Sequence, residues 1–253
     1  MSTKDHQSEP IESASETLQR IFDGHGSVLG SQMADESSRY DVLKKTDFPK
    51  PQRTRRIAVA NQKGGVGKTT STVNTAAALA NKGAQVLVID MDPQGNASTA
   101  LGVSHASGEP SVYDVIEGRS DLGDVITVCP DFPTLDVVPA SIDLSGAELE
   151  VADLPNRNTL LKEALDLYLR QSDKHYDYVF IDCPPSLGLL VINAMCAVTE
   201  MLIPIQAEYY ALEGLGQLIN TIGLVQEHFN PVLLVSTMLV TMFDRRTLLS
   251  REV

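Results

Sequence analysis

The glycine-rich stretch after the first apolar run of this chain restricts the possible folds more than any other feature. It runs from Asn61 to Thr70 with the sequence NQKGGVGKTT, between the apolar residues 57–60 and a run of small residues from Thr70 to Asn81. A strand, a glycine turn and a helix in this order are typical of a phosphate-binding loop, because glycines let backbone N–H groups close around phosphate oxygens. The positive end of the helix dipole faces the same anion. We therefore expect an α/β fold that binds a nucleoside triphosphate.

The two polar side chains at the end of the loop have separate expected roles. Lys68 should reach the β- and γ-phosphates, and the hydroxyl of Thr69 should bind Mg²⁺. One position departs from the common pattern, because Gln62 stands where a glycine is usual and a second lysine, Lys63, precedes the glycines. A lysine there is not needed to hold a phosphate that Lys68 already contacts, so its presence calls for another explanation.

Acidic residues end two of the predicted strands. The apolar run from Ala84 leads to Asp90 and then Asp92, and the run from Tyr176 leads to Asp182. Continuous apolar runs are typical of buried parallel strands, whose carboxyl ends bind ligands in α/β sheets. We expect Asp90 and Asp182 to organise the water shell of Mg²⁺, and Asp92 to orient or deprotonate the attacking water.

Four motifs of the chain resemble the ParA/MinD superfamily, over about residues 55–253. The loop KGGVGKTT is similar to the deviant Walker A loop of that family, and VIDMDPQGN, FIDCPPS and AEYYALEG are similar to its later motifs. The resemblance implies a three-layer P-loop NTPase fold with a mostly parallel central sheet, and it implies ATP and Mg²⁺ as cofactors. In that family the extra lysine crosses a dimer interface to the partner's nucleotide, and the second acid of the second motif is tied to hydrolysis. By this resemblance, Lys63 and Asp92 are expected to take these two roles.

The resemblance, together with the residues themselves, gives a complete set of expected site residues. Lys63, Lys68 and Asp92 are the expected catalytic residues, and Thr69, Asp90 and Asp182 are the expected metal-binding residues. The expected nucleotide contacts are the loop residues Lys63, Gly64, Gly65, Val66, Gly67, Lys68, Thr69 and Thr70.

A pair of arginines near the end of the chain is the expected DNA contact. The family carries the segment TMFDRRT, residues 241–247, near its DNA-binding surface, so Arg245 and Arg246 are expected to contact DNA phosphates without sequence preference. An ordinary pair of surface arginines is the alternative interpretation.

The leading functional hypothesis is a partition ATPase for chromosomes or plasmids. ATP would hold two copies of the chain as a homodimer that binds DNA non-specifically, and a ParB-type partner would stimulate hydrolysis and release it. A MinD-like membrane-cycling regulator needs a C-terminal amphipathic helix, which the visible end does not show. An iron protein of the nitrogenase-reductase kind needs paired cluster cysteines, and Cys129, Cys183 and Cys196 do not follow that pattern. A P-loop metabolic enzyme is the fourth class, and no substrate motif supports it.

Composition limits where the protein works. The net charge of −13 argues against a surface coated with nucleic acid, but it leaves room for a local basic patch. No apolar run approaches the roughly 20 residues of a membrane span, and no signal-peptide core is present. Three cysteines without metal-site spacing fit a reducing compartment. We expect a cytoplasmic, nucleoid-associated protein with no integral membrane association.

The domain organisation is predicted from shifts in composition. Residues 1–43 are rich in Ser, Asp and Glu and are expected to form a disordered acidic tail, in which only Ile11–Phe22 has helix-like apolar spacing. Residues 44–55 form a basic linker that either contacts DNA phosphates or an acidic partner, or is simply solvated. Residues 56–253 form the ATPase domain. ParA-like chains normally continue with another strand, helices and an adenine-holding segment, so we expect this domain to be incomplete at its C-terminal edge.

Overall fold

The computed structural model describes residues 28–46, 48–207 and 211–243, and the chain divides into two compact units, residues 1–49 and 50–253. Helix α1, Val28–Lys45, is the described part of the first unit, and its described side chains are mostly exposed. Composition predicts a disordered tail as far as residue 43, whereas the structure shows a helix from residue 28 onward. No apolar stripe marks it in the sequence, so periodicity does not reveal it. The helical spacing predicted at Ile11–Phe22 lies outside the described residues.

The second unit is built on a seven-stranded sheet with the strand order β3-β4-β2-β5-β1-β6-β7. Neighbouring strands are parallel except β3, which pairs antiparallel with β4. This confirms the predicted α/β fold with a mostly parallel sheet. The strands are β1 Arg55–Val59, β2 Val86–Asp90, β3 Thr127–Val128, β4 Leu135–Val138, β5 Tyr178–Asp182, β6 Glu200–Gln206 and β7 Leu234–Thr241.

Helices cover both faces of the sheet, as a three-layer fold requires. On one face, Ala76 and Ala80 of the helix that follows the glycine loop pack against Ile57, Val88 and Phe180 of the sheet. The opposite face carries the larger core, to which several of the later helices contribute. The helices of this unit are α2 Lys68–Asn81, α3 Asn96–Ala100, α4 Val112–Ile116, α5 Leu144–Glu150, α6 Leu160–Gln171, α7 Leu189–Ala197 and α8 Ala211–His228, with a 3₁₀ turn at Leu122–Val125.

The spacing of buried residues on α2 fixes its rotation over the sheet. Lys68, Thr72, Ala76 and Ala80 are buried and lie at intervals of four residues, which places them on one face of a helix. Alanine on this face lets the helix axis approach the strands closely. The same rotation turns Lys68 and Thr72, at the first turns of α2, toward the ends of the central strands.

The C-terminal part of the basic linker, from Lys50 to Arg55, forms ion pairs with acidic side chains of the second unit. Arg55 is bonded to Glu200 through two guanidinium nitrogens, at 2.8 and 2.6 Å, and this contact raises the pKa of Arg55. Ion pairs within the protein therefore engage part of the basic run, and its contact with DNA or with an acidic partner stays a prediction. Lys50 also pairs with Asp177, and Arg56, the residue after the linker, pairs with Asp166.

The outer edge of the sheet at β7 is unusually apolar for an exposed surface. Met238 and Val240 are about half exposed, and Leu239 between them is 38% exposed. Leu224 on the neighbouring helix α8 is exposed as well. Among the described residues, no helix combines the length and the hydropathy that a bilayer crossing demands.

Candidate nucleotide-binding and hydrolysis site

The order of the central strands brings the predicted acids to one place. Strand β5 lies between β1 and β2, and the register pairs Asp90 at the end of β2 with Asp182 at the end of β5. On the other side of β5, Val59 at the end of β1 pairs with Asp182. The glycine loop leaves β1 at the same edge, so the loop and both carboxylates meet there.

The backbone of the glycine loop has the shape of an anion cradle. Gly65 and Gly67 have φ values of +74° and +90°, a left-handed region that L side chains avoid. No internal hydrogen-bond acceptor is found among the described residues for the amide N–H groups of Gly65, Gly67 and Lys68. Free donors at a helix N-terminus fit a phosphate group. A cavity of about 530 Å³ opens beside them, lined by Gly64, Gly65, Gly67, Lys68, Thr69, Thr70, Asp92, Gln94, Asn96, Pro185 and Met242.

Lys68 lies under the loop, and none of the described carboxylates accepts a hydrogen bond from it. Its side chain is largely buried, and its Nζ donates to the carbonyl oxygen of Lys63 at 3.2 Å. Burial lowers the pKa of Lys68, and the nearby carboxylates of Asp182 and Asp92 oppose this effect. A phosphate anion in the cavity would favour the charged ammonium in the same way. The arrangement therefore fits the role predicted for this lysine.

Asp182 is fully buried and is held by two hydroxyl groups of α2. Thr69 Oγ1 donates to Oδ2 at 2.7 Å, and Thr72 Oγ1 donates to Oδ1 at 2.9 Å. Burial raises the pKa of Asp182 to about 7, the negative charges of Asp90 and Asp92 add to the effect, and the two hydroxyls oppose it. A divalent cation would supply the positive charge that this group of acids lacks, so the residues fit Mg²⁺.

Asp90 is fixed by the helix that follows its own strand. The backbone N–H and the hydroxyl of Ser98 both donate to Asp90 Oδ2, at 2.8 and 2.7 Å, and the N–H of Asp92 donates to Oδ1 at 3.2 Å. Burial raises the pKa of Asp90, and these donors oppose the shift. Ser98 Oγ also accepts the N–H of Ala140, at 3.1 Å. The carboxylate is thereby held in a fixed orientation beside Asp182.

Asp92 begins a tight turn at the mouth of the cavity. Its Oδ1 accepts the N–H of Gln94 at 3.0 Å, and its side chain is among those that line the cavity. The turn ends at Gly95, which has φ +63° and lies against the ring of His105. A carboxylate held this way is positioned to accept a proton from a water molecule in the cavity.

The backbone of Lys63 is held by Asn61, the first residue of the loop. Asn61 Oδ1 accepts the N–H of Lys63 at 3.0 Å, and Asn61 Nδ2 donates to the carbonyl oxygen of Pro204 at 2.7 Å. Asn61 thus ties the start of the loop to strand β6. The predicted DNA contacts Arg245 and Arg246 lie outside the described residues.

Four supporting residues of the site are not singled out by the sequence analysis. Asn61, Thr72, Ser98 and Thr241 each hold a loop residue or a carboxylate in place. Thr72 can be identified from the sequence by helical spacing, because it lies four residues after Lys68 on the same face of α2. The contact of Thr241, which bonds the loop from the end of β7, has no signal in local sequence.

In the part of the chain that the structure describes, protein side chains alone do not form a complete metal site. Across the described ranges, no group of three or more His, Cys, Asp or Glu residues is arranged to hold an ion. Mg²⁺ in nucleotide sites is bound by one or two protein oxygens, by substrate phosphates and by water, so Thr69, Asp90 and Asp182 would supply only part of its ligands. Cys129, Cys183 and Cys196 are free and buried, and burial raises the pKa of Cys183.

Comparison with known proteins identifies one matching family model and several similar proteins. A family model described as an AAA domain matches residues 54–235. The chain is 50% identical to the sporulation initiation inhibitor protein Soj of Bacillus subtilis over 197 residues, which cover 78% of this chain and 76% of that protein. It is 46% identical to the chromosome partitioning protein ParA of Caulobacter vibrioides, over 78% of this chain and 73% of that protein.

Solved structures share the fold. A structure of cobyrinic acid a,c-diamide synthase from Mycobacterium smegmatis with bound ADP and magnesium has a TM-score of 0.72 and 40% identity, with 79% of each chain covered. A putative plasmid partition protein from Borrelia burgdorferi, bound to AMPPNP, has a TM-score of 0.67 and 25% identity, with 79% of this chain and 81% of that chain covered. Both proteins were crystallised with a nucleotide.

Proposed function

Because this chain belongs to the ParA/Soj family of partition ATPases, we propose that it hydrolyses ATP with Mg²⁺ to drive the segregation of DNA. The observation that carries the proposal is the contact of Thr69 with Asp182, which joins the glycine loop to the end of β5 inside a buried acidic site. A hydroxyl and a carboxylate at this distance, beside free loop N–H groups, match the metal and phosphate ends of a nucleotide site.

The residues of this chain divide the chemical work between them. The loop N–H groups and Lys68 bind the β- and γ-phosphates, while Thr69, Asp90 and Asp182 hold the cation and its waters. Magnesium, when bound, supplies the positive charge that neutralises the phosphates. Asp92 orients the attacking water and accepts its proton. The tight turn after Asp92 holds that carboxylate at the cavity.

Lys63 is the residue that we propose to act across a dimer. Lys68 already supplies the lysine that a single subunit needs, and Asn61 holds the backbone of Lys63 in a fixed position. A lysine that reaches the nucleotide of a second copy makes the stability of the dimer depend on the phosphate charge. Loss of the γ-phosphate then weakens the dimer.

DNA binding and release complete the proposed cycle. Arg245 and Arg246 contact DNA phosphates in the ATP dimer, and a ParB-type partner stimulates hydrolysis and ends the contact. A chain with a net charge of −13 needs such a local basic site to approach DNA. The protein is proposed to be cytoplasmic and nucleoid-associated, with a chromosome as the cargo, because relatives of high identity bear chromosome-partition names.

The decisive experiment tests the lysine that acts in trans. Molar mass is measured by size-exclusion chromatography with light scattering, with a non-hydrolysable ATP analogue and Mg²⁺, for the wild type and for Lys63→Ala. We expect the wild type to be a dimer and Lys63→Ala to stay monomeric while still binding the analogue.

Lys82 provides a matched control. It follows the last residue of α2, roughly 20 Å from the loop at 1.5 Å per residue, so Lys82→Ala should dimerise like the wild type. A Lys63→Ala variant that dimerises fully would contradict the proposal. Dimerisation on lipid vesicles but not on DNA would favour a MinD-like membrane-cycling regulator instead.

The name of one solved relative supplies a second candidate, an ATP-dependent synthesis of amides from a carboxylic acid. That activity predicts ATP turnover that depends on a small acid and an amine donor. A partition ATPase predicts turnover that depends on DNA and a protein partner. Phosphate release measured with each set of additions separates the two.

A further inference from the structure

The residue that ends β7 contacts the phosphate loop directly. Thr241 Oγ1 donates a hydrogen bond to the carbonyl oxygen of Val66 at 2.9 Å, across 175 residues of sequence. Its methyl carbon Cγ2 lies against Gly67, because a Cβ built on Gly67 would stand 3.6 Å from it. One side chain thus bonds Val66 and lies beside the next residue of the loop, Gly67.

The peptide unit between Val66 and Gly67 transmits this contact to the cavity. A peptide unit is planar and trans, so its C=O and N–H groups point in opposite directions. Glycine residues on both sides of Val66 would otherwise let this unit rotate easily. Anchoring the Val66 carbonyl therefore fixes the direction of the Gly67 N–H, a donor that has no internal acceptor among the described residues and that belongs to a cavity-lining residue.

Thr241 is itself held in place on both sides. Its carbonyl oxygen accepts the N–H of Ala207 at 3.3 Å, and it pairs with Gln206 in the ladder between β6 and β7. The next residue, Met242, has φ +53°, which is the one positive φ among the non-glycine residues of the described part. Such a backbone is unfavourable for methionine and persists only where the surroundings fix it. The chain therefore bends sharply just after the hydroxyl reaches the loop.

We infer that Thr241 is a positioning residue for the phosphate loop, whose hydroxyl holds the Val66–Gly67 peptide so that the Gly67 N–H is directed at a bound phosphate. This inference rests on the proposed function, because it requires the loop to hold a nucleoside triphosphate. Thr241 acts through the loop and does not itself touch the nucleotide.

The test compares two substitutions at Thr241. Thr241→Val removes the donor and keeps the shape, whereas Thr241→Ser keeps the hydroxyl. The dissociation constant of a fluorescent non-hydrolysable ATP analogue with Mg²⁺ is measured at a temperature at which circular dichroism shows every variant folded. Loss of one neutral hydrogen bond should weaken binding by about 2- to 12-fold in Thr241→Val, and Thr241→Ser should bind like the wild type.

Controls separate positioning from a general loss of stability. Thr237 lies four residues earlier on β7, about 13 Å along the strand, so Thr237→Val should leave the affinity unchanged. Affinity of Thr241→Val equal to wild type, or an equal loss in Thr241→Ser, would overturn the inference. If Thr241→Val does not fold, Thr241→Ala takes its place. A wild type that binds no nucleotide would overturn the proposed function, a result distinct from any ranking of the variants.

Discussion

Asp182 is a residue whose negative charge is disfavoured by its surroundings. It is fully buried, it faces two other carboxylates, and its pKa is raised to about 7, with burial as the main cause. In the unfolded chain the same carboxyl titrates near 3.8. Between these values the folded protein binds a proton that the unfolded chain does not, so the stability of the nucleotide-free domain falls as pH rises from about 4 to about 7.

Asp182→Asn should therefore stabilise the nucleotide-free domain while it abolishes metal-dependent nucleotide binding. At pH 8 we expect a gain of about 1–3 kcal/mol in the free energy of unfolding, because a tenfold change in proton affinity corresponds to about 1.4 kcal/mol and the amide replaces only part of the hydroxyl contacts. Urea denaturation at pH 5 and pH 8 measures this. The gain should be smaller at pH 5.

Asp131 is exposed on a loop and offers a matched control for the same change of charge. Asp131→Asn should alter stability by less than about 0.5 kcal/mol at either pH. If Asp182→Asn were less stable than the wild type at pH 8, the carboxylate would be better stabilised in the nucleotide-free protein than its surroundings indicate.

The turn and short helix from Asp92 to Ala100 act as one element. Gly95 joins the turn to α3 in a left-handed conformation, and the ring of His105 covers it. His105 Nε2 is also hydrogen-bonded to Thr99 Oγ1 at 2.8 Å. The same helix carries Ser98, which orients Asp90, so the packing around Gly95 helps to fix the acids of the site.

A double-mutant cycle of Gly95→Ala and His105→Ala should measure the energetic coupling between these two residues. A Cβ at Gly95 would lie 2.4 Å from His105 Nδ1, so Gly95→Ala should lose about 1–2 kcal/mol for the left-handed backbone and a further contribution from displacing the ring. In the background of His105→Ala only the backbone contribution should remain. Urea denaturation of the wild type, the two single variants and the double variant gives the difference between the two losses in free energy of unfolding.

Gly118 supplies the reference for the backbone contribution alone. Its φ is +72°, and nothing lies within 4 Å of a Cβ built there. Gly118→Ala should therefore cost about as much as Gly95→Ala does in the His105→Ala background. Equal losses for Gly95→Ala with and without the ring would mean that the ring moves aside freely.

The elements that the sequence predicts well are those whose signals are local. The glycine loop, Asp90 and Asp182 each follow an apolar strand directly, and parallel strands place such ends at one edge of the sheet. Helix α1 is missed because it has no apolar stripe, and the N–H and hydroxyl of Ser98 reach Asp90 only through the fold of α3. Thr241 is not connected to the loop by any local pattern, because the contact spans 175 residues.

At the scale of the whole molecule, the edge strand β7 presents exposed apolar side chains that can affect association. An edge strand presents unpaired backbone groups, and exposed apolar side chains next to them favour association with other chains. Met238 and Val240 lie on one face of this strand and are 51% and 52% exposed. The 253-residue chain should therefore self-associate at high concentration even without nucleotide.

Lysines on this edge should suppress that association. The double variant Met238→Lys, Val240→Lys places charges on the exposed face, which natural edge strands use against pairing. Light scattering across a concentration series without nucleotide should show a lower average mass than for the wild type. Leu167, 40% exposed on α6, is a control, since Leu167→Lys adds charge elsewhere. An unchanged mass in the β7 variant would place the association at another surface.

The position of β1 in the middle of the sheet also determines when the glycine loop can reach its folded conformation during synthesis. The strand that carries the glycine loop is flanked by β5 and β6, both made much later, and the hydroxyl that anchors the loop follows Val66 by 175 residues. At about 5–20 residues per second, the ribosome needs roughly 10–35 s to cover that distance. A nascent chain therefore carries a glycine loop without its Thr241 anchor for that interval, and β5 and β6 join β1 only late within it.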